Sequence, residues 1–163
     1  MTEQTSGSVP ELTVAIAAYN ERATIMQVLE RVMAVPVTKQ IIVVDNCSTD
    51  GTRELLADVD DSVEVIFQPR NLGKGTSIRT AITQARGEYF IIQDADLEYE
   101  PEQYPRLLSY AREHDLDALY GSRVMEGRNT NYVGYYFGVQ ALTWMTNVPV
   151  SYTHLTLTTI YSV

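Results

Sequence analysis

An α/β fold, an open and mostly parallel sheet with helices on both faces, is what this sequence predicts. Three observations carry the reading. Short apolar runs alternate with amphipathic ones along most of the chain. The short runs are apolar almost throughout rather than every second residue, as in strands buried on both faces. Polar residues gather just past the end of each run, at the sheet edge where ligands of open α/β sheets bind.

Taken in order, Leu12–Ile16 is the first predicted strand, ending at Ala17-Ala18-Tyr19-Asn20-Glu21. Ile25, Met26, Leu29, Val32 and Met33 follow at helical spacing, and Pro36 ends that helix. Ile41–Val44 is the second strand, β-branched throughout. Ser48, Thr49 and Asp50 are expected to cap a helix carrying Leu55 and Leu56. Val63–Phe67 alternates in part, which predicts a strand nearer an edge. Ile78, Ala81, Ile82 and Ala85 share one face of a third helix, with Gly87 placed to help it stop. Tyr89–Ile92 is the fourth strand, and Tyr104, Leu107, Leu108 and Ala111 mark a fourth helix. Leu116–Tyr120 is read as a fifth strand.

At 163 residues the chain suits one domain with a real core. A formal net charge of −9 argues against nonspecific nucleic-acid binding, which wants a basic surface. It does not exclude an anionic substrate, because a bound divalent ion and local cations reverse the field. The single cysteine, Cys47, permits no internal disulfide and fits a reducing compartment, so a cytoplasmic location is expected. Met1–Ser8 lack the apolar stretch of a signal peptide and read as a tail, and no run reaches the length of a membrane span.

The densest chemistry lies in Phe90-Ile91-Ile92-Gln93-Asp94-Ala95-Asp96-Leu97-Glu98. If the backbone stays extended, side chains at i, i+2 and i+4 share a face, so Asp94, Asp96 and Glu98 would converge beyond the strand end. Three hard oxygen ligands suit Mg²⁺ or Mn²⁺, and such an ion suits a diphosphate. A solvated acidic turn is the plain alternative for the run taken alone. The series Tyr19 and Glu21, Asp45 and Asn46, Arg70, Asp94 and Asp96, Ser122 and Arg123 weighs against it, since all fall on one sheet edge.

Asp45 at a strand end could accept a hydrogen bond from a ring N–H, as uracil or guanine presents. Arg70–Ser77 is not a P-loop, because Gln68 stands where the leading glycine belongs. It remains a turn opening a helix, where Lys74 is either an anion contact or a solvated lysine. A guanidinium at Arg123 fits a phosphate or a structural ion pair. No Ser-His-Asp or Cys-His arrangement is suggested.

Ala15–Glu21, Ile41–Thr52, Arg70–Arg79, Gly87–Glu102 and Tyr120–Arg123, in this order and spacing, resemble the family 2 glycosyltransferases with a GT-A, Rossmann-like fold. More narrowly they resemble dolichyl- or polyprenyl-phosphate mannose and glucose synthases. The resemblance covers roughly residues 11–125. It implies that Ala17, Tyr19 and Glu21 line a nucleotide pocket, that Asp45 reads the base, and that Asp94 and Asp96 bridge the donor diphosphate through a metal. It implies a weaker metal role for Glu98, where the family often has glutamine, and an acceptor- or donor-phosphate contact for Arg123. Lys74, Asn46 and Ala95 join the expected donor-binding set. Two positions depart from the family: Ala17 for the usual proline, and Asn46 for the second acid of the usual Asp-Asp.

The activity so implied is metal-dependent, inverting transfer of a hexose from a nucleotide-diphosphate sugar to a polyprenyl phosphate, at the cytoplasmic membrane face. A saccharide acceptor is the alternative, and a donor-binding fragment without activity is a third. A nucleotidyltransferase would want a glycine-rich basic loop after the first strand, which Ala17–Arg22 is not. The expected organisation is a tail over 1–8, an incomplete transferase domain over 9–147 and a doubtful stretch over 148–163, where the family pattern stops and the sequence resembles adaptor read-through. The aromatic stretch Asn131–Asn147, with Trp144, is too polar and short to span a membrane and is expected to pack into the core, a surface-lying segment near a lipid acceptor being the alternative.

Overall fold

The computed structural model describes residues 9–121 and 161–162. The chain divides into two units, one running to Leu119 and the other beginning at Tyr120. In the first, strands Leu12–Ala18 (β1), Lys39–Asp45 (β2), Val63–Phe67 (β3) and Tyr89–Asp94 (β4) form a sheet in the order β3-β2-β1-β4. Every pairing is parallel, with Leu12 opposite Lys39 and Tyr89, and Ala17 opposite Val44 and Asp94. Helices Ile25–Ala34 (α1), Thr52–Ala57 (α2), Lys74–Gln84 (α3) and Tyr104–Glu113 (α4) connect or follow the strands, with a 3₁₀ turn at Pro101–Gln103 before α4.

The continuous apolar strands are buried as their composition requires. Val14, Ile16 and Val43 face a large cluster completed by Ile25, Leu29 and Val32 of α1, Leu56 of α2, and Tyr104 and Leu108 of α4. Ala15, Ile42 and Val44 point the other way and meet Ala81 and Ile78 of α3. Burial on both faces explains the unbroken apolar run of β2, and the edge position of β3 explains its partial alternation, in which Glu64 is not enclosed. Pro36 follows the end of α1, where it cannot prolong a helix.

Two expectations about elements change. The fifth strand is confined to Tyr120–Gly121 (β5), paired with Tyr161–Ser162 (β6), while Leu116–Leu119 is not strand. Gly87 does not terminate α3, which ends at Gln84 with Ala85 in extended conformation. Its role is close approach: a Cβ there would lie 2.4 Å from the backbone nitrogen of Thr13. The aromatic stretch 131–147, the tail 1–8 and most of 148–163 lie outside the described residues.

Sheet order decides where a ligand fits. The chain passes from β1 outward to β2 and β3, then returns to place β4 on β1's other side. The reversal parts the loops that leave β1 and β4 and opens a crevice between them.

Candidate active site at the carboxyl edge of the sheet

A cavity of about 350 Å³ lies at that crevice. Ala17, Tyr19 and Glu21 reach it from the end of β1, Asn46 from the end of β2, Lys74 and Ser77 from α3, and Asp94, Ala95 and Asp96 from the end of β4. Eight of the sequence-predicted residues therefore share one wall system, although they come from four separate parts of the chain.

The turns that carry them are held in uncommon backbone conformations. Asn20, Cys47 and Leu97 have φ of 58°, 65° and 65°, each in the loop after a strand that borders the crevice or its neighbour. Such left-handed non-glycine residues persist only where surrounding contacts over-determine them. Around Asn20 and Cys47 such contacts join the loop after β1 to the loop after β2. Asn20 N–H donates to Ser48 Oγ at 2.9 Å, Glu21 N–H to Thr52 Oγ1 at 3.0 Å, and Arg22 N–H to Asp50 at 3.1 Å. In return Thr49 N–H donates to Asn20 Oδ1 at 2.8 Å. Ser48 and Thr49 thus bind the neighbouring loop rather than capping α2, whose N-cap is Gly51 with no side-chain hydrogen bond. Asp50 serves both, since its other oxygen accepts from Thr52 at the start of α2.

Asp45 stands apart from its expected place. Its side chain is fully enclosed and does not line the cavity. The carboxylate accepts from Ser48 N–H at 3.2 Å and pairs with Arg53 at 3.3 Å, while the Arg53 guanidinium also covers the Phe67 ring. A buried charge needs such partners. Its neighbour Asn46 is the one at the wall, and its amide is spoken for as well. Asn46 Nδ2 donates to Asn71 Oδ1 and its Oδ1 accepts from Leu72 N–H, at 2.9 and 2.8 Å. Asparagine fits where the family pattern has an acid because a carboxylate has no proton to give Asn71.

The acidic triad is not assembled as the extended-strand argument requires. β4 ends at Asp94, and the positive φ of Leu97 turns the chain, so the period-two alternation stops before Glu98. Asp96 Oδ1 instead accepts from Glu98 N–H, forming a turn that leaves the Glu98 side chain off the cavity. Among the described residues no three acids, histidines or cysteines come together as a metal cage. Asp94 and Asp96 remain, both at the cavity. Mg²⁺ is commonly held by one or two carboxylates together with substrate phosphates. Two hard oxygen donors facing a space of this size fit such an ion when a diphosphate completes the shell.

Lys74 Nζ sits 2.5 Å from Asp94 Oδ1, joining the N-terminus of α3 to the end of β4. Two residues that sequence reasoning passed over hold this strand end from behind. Gln93, 1% exposed, donates from Nε2 to the Asp94 carbonyl and accepts at Oε1 from Tyr104 Oη at 2.5 Å. Burial pushes the Tyr104 phenol far up, so it stays a proton donor. A glutamine inside an apolar strand run was the available signal, since an amide there must find partners. Arg70 is exposed and does not line the cavity, and Ser122 and Arg123 lie outside the described residues.

The site is thus a crevice at the carboxyl edge of a parallel sheet, lined by two carboxylates, a lysine paired with one of them, and the tyrosine of the loop after β1. The chain belongs to glycosyl transferase family 2, which it matches over residues 13–155. It is 36% identical over 105 residues to the succinoglycan biosynthesis protein ExoO of Rhizobium meliloti, covering 63% of this chain and 30% of that protein. It is 34% identical over 122 residues to the low-salt glycan biosynthesis hexosyltransferase Agl6 of Haloferax volcanii, covering 73% and 29%. With the undecaprenyl-phosphate 4-deoxy-4-formamido-L-arabinose transferase of Pectobacterium carotovorum it shares 33% over 111 residues, covering 63% and 34%. The chain spans about a third of the length of these relatives.

Solved structures agree on the fold. S. aureus TarS 1-349 superposes with a TM-score of 0.60 at 24% identity, over 66% of this chain and 34% of that one. The mannosyltransferase PcManGT of Pyrobaculum calidifontis, solved with GDP-Man and Mn²⁺, gives 0.52 at 27% identity over 59% and 30%.

Proposed function

We propose that this domain binds a nucleotide-diphosphate sugar with Mg²⁺ or Mn²⁺ and, in its full catalytic setting, transfers the hexose to a polyprenyl phosphate with inversion. The observation that carries the proposal is the meeting of Asp94, Asp96, Lys74, Tyr19, Glu21 and Asn46 around one crevice at the carboxyl edge of a parallel sheet.

In this reading Tyr19 and Glu21 line the nucleoside end. Asn46 shapes that end through Asn71, and Asp45 fixes the turn from behind through Ser48 and Arg53. Asp94 and Asp96 would hold the ion, which when bound neutralises the diphosphate and so favours its departure. Lys74 adds a cation on the same side, the electrostatic stabilisation that dominates many such transfers. An acceptor phosphate is already anionic at neutral pH and requires no general base. Its oxygen forms a bond to the anomeric carbon as the bond to the donor diphosphate oxygen breaks, and the electron pair leaves with the nucleoside diphosphate. Opposite-side attack turns an α-linked donor into a β-linked product.

Support comes from relatives whose names specify an undecaprenyl-phosphate acceptor and a hexosyltransferase activity, and from a neighbour solved with a nucleotide-sugar and Mn²⁺. A lipid acceptor would place the protein peripherally at the cytoplasmic membrane face. The similarity to a succinoglycan biosynthesis protein favours a second reading with a saccharide acceptor, which would need a base to take the hydroxyl proton.

The test is calorimetry with GDP and UDP, with and without Mn²⁺, followed by transfer assays with polyprenyl phosphate and with an oligosaccharide. Metal-dependent binding of one nucleotide is expected, and binding of neither would end the donor reading. Binding without transfer to either acceptor identifies a donor-binding fragment.

A further inference from the structure

We infer that Lys74 is an internal stand-in for the metal: it neutralises Asp94 while the site is empty and moves onto the diphosphate when donor and metal enter together. The inference rests on the donor reading and adds an order of binding to it.

Lys74 is the first residue of α3 and projects from a surface position, 59% exposed, to an Asp94 carboxylate that is 18% exposed at the cavity. Asp94 Oδ1 takes its ammonium at 2.5 Å. The ammonium occupies one lone-pair direction of the carboxylate and offsets its charge, and an ammonium and a divalent ion at contact with one carboxylate repel each other. The pair therefore opposes metal binding alone. A diphosphate changes the sign, because its oxygens accept the ammonium, and the released carboxylate faces the cation that the same phosphates help to coordinate.

The lysine has room to make this exchange. Its side chain is mostly in solvent, and Gly73 before it has a φ of 82° with nothing within 4 Å of where a Cβ would stand. Asp94, by contrast, is fixed by β4 pairing and by Gln93 from behind. The mobile partner is the lysine.

Lys74→Met should therefore move two affinities in opposite directions. Mn²⁺ alone, followed by electron paramagnetic resonance, should bind roughly two- to fivefold more tightly, the range an exposed ion pair contributes. The nucleoside diphosphate with Mn²⁺, followed by calorimetry, should bind on the order of tenfold more weakly, as loss of a charge-assisted hydrogen bond dictates. Lys74→Arg should behave like the unsubstituted chain in the metal-only titration. A metal-only affinity that Lys74→Met leaves unchanged or weakens, in a chain whose unsubstituted form binds the nucleotide, overturns the stand-in role alone. Failure of the unsubstituted chain to bind either nucleotide with Mn²⁺ overturns the donor reading and this role with it.

Discussion

The two ends of the sheet are both rich in polar side chains, yet they treat them in opposite ways. At the amino end, Thr13 Oγ1 donates to Gln40 Oε1 at 2.9 Å and accepts from Gly87 N–H at 2.8 Å. Gln40 accepts from Arg86 N–H at 2.8 Å and donates to Glu64 and to the Gln84 carbonyl, while Arg86 pairs with Glu64. Nearby, Arg112 bridges Glu11 and Glu88. Each group's partner is another group of the fold. At the carboxyl end Asp94 and Asp96 also have partners, Lys74 and the Glu98 N–H, but together with Tyr19 they line a cavity, and the turns beneath them adopt left-handed backbone. A network closed on itself adds stability and uniqueness, whereas acids that line a cavity leave part of their hydrogen-bonding capacity open to a ligand.

The largest expected effect breaks the rim without touching the rest. Asp96→Asn removes a charge but keeps the oxygen that accepts Glu98 N–H. Metal-dependent nucleotide affinity should fall on the order of 100-fold, with the melting temperature unchanged. An unaltered calorimetric isotherm would take Asp96 out of the site.

Gly87→Ala is the converse. Its Cβ meets backbone atoms of Leu12 and Thr13 at 2.6 and 2.4 Å, which no rotamer change relieves. A loss of about 3 kcal/mol in denaturant unfolding is expected, at the upper end for overpacking, with nucleotide affinity unaltered in the folded fraction. Coupled loss of both would mean the two ends are not independent.

Asn46→Asp sharpens the contrast within the rim. The new carboxylate still accepts from Leu72 N–H but faces Asn71 Oδ1 without a proton to share. A stability loss of about 1 kcal/mol is expected from that unmatched pair, read as a shifted urea midpoint. A rise in stability would show that Asn71 turns its amide to suit either residue.

The smallest effect is a pH dependence. Arg31 holds Glu102 below its ordinary carboxyl value through hydrogen bonds at 2.9 and 2.8 Å. A depressed folded-state pKa means stability present above the unfolded value near 4.5 and lost as pH falls through the lower folded one. With Glu102 more than half exposed, solvent screening limits this to a few tenths of a kcal/mol. Glu102→Gln should flatten the stability profile by that amount between about pH 5 and 3.

Much of this architecture was legible because local chemistry and fold agree. Ile41–Val44 reads as a doubly buried strand and is one, and of the expected strand-end residues those after β1 and at the end of β4, with Asn46 after β2, do gather at the crevice, whereas Asp45 and Arg70 do not. What escaped depends on partners far along the chain or on one dihedral angle. Gly87 looked like a helix stop because its true neighbour, Thr13, lies 74 residues away. Ser48 and Thr49 looked like caps for the same reason, since their partners are 28 and 29 residues back. Glu98 was grouped with Asp94 and Asp96 on the premise of continued alternation, which the left-handed Leu97 cancels. The enclosure of Asp45 follows from Arg53, a helix residue with no sequence mark of that duty.

The stitching between the first two loops has a consequence for how this pocket can diversify. Tyr19 and Glu21 ride on a segment whose amides are gripped by Ser48, Asp50 and Thr52, so the two segments form one rigid frame rather than two adjustable arms. A substitution that re-aims either arm is inherited by the other. On the proposed donor reading, a change of base or sugar preference should therefore require paired exchanges across the two turns, and single swaps should mostly weaken recognition without redirecting it.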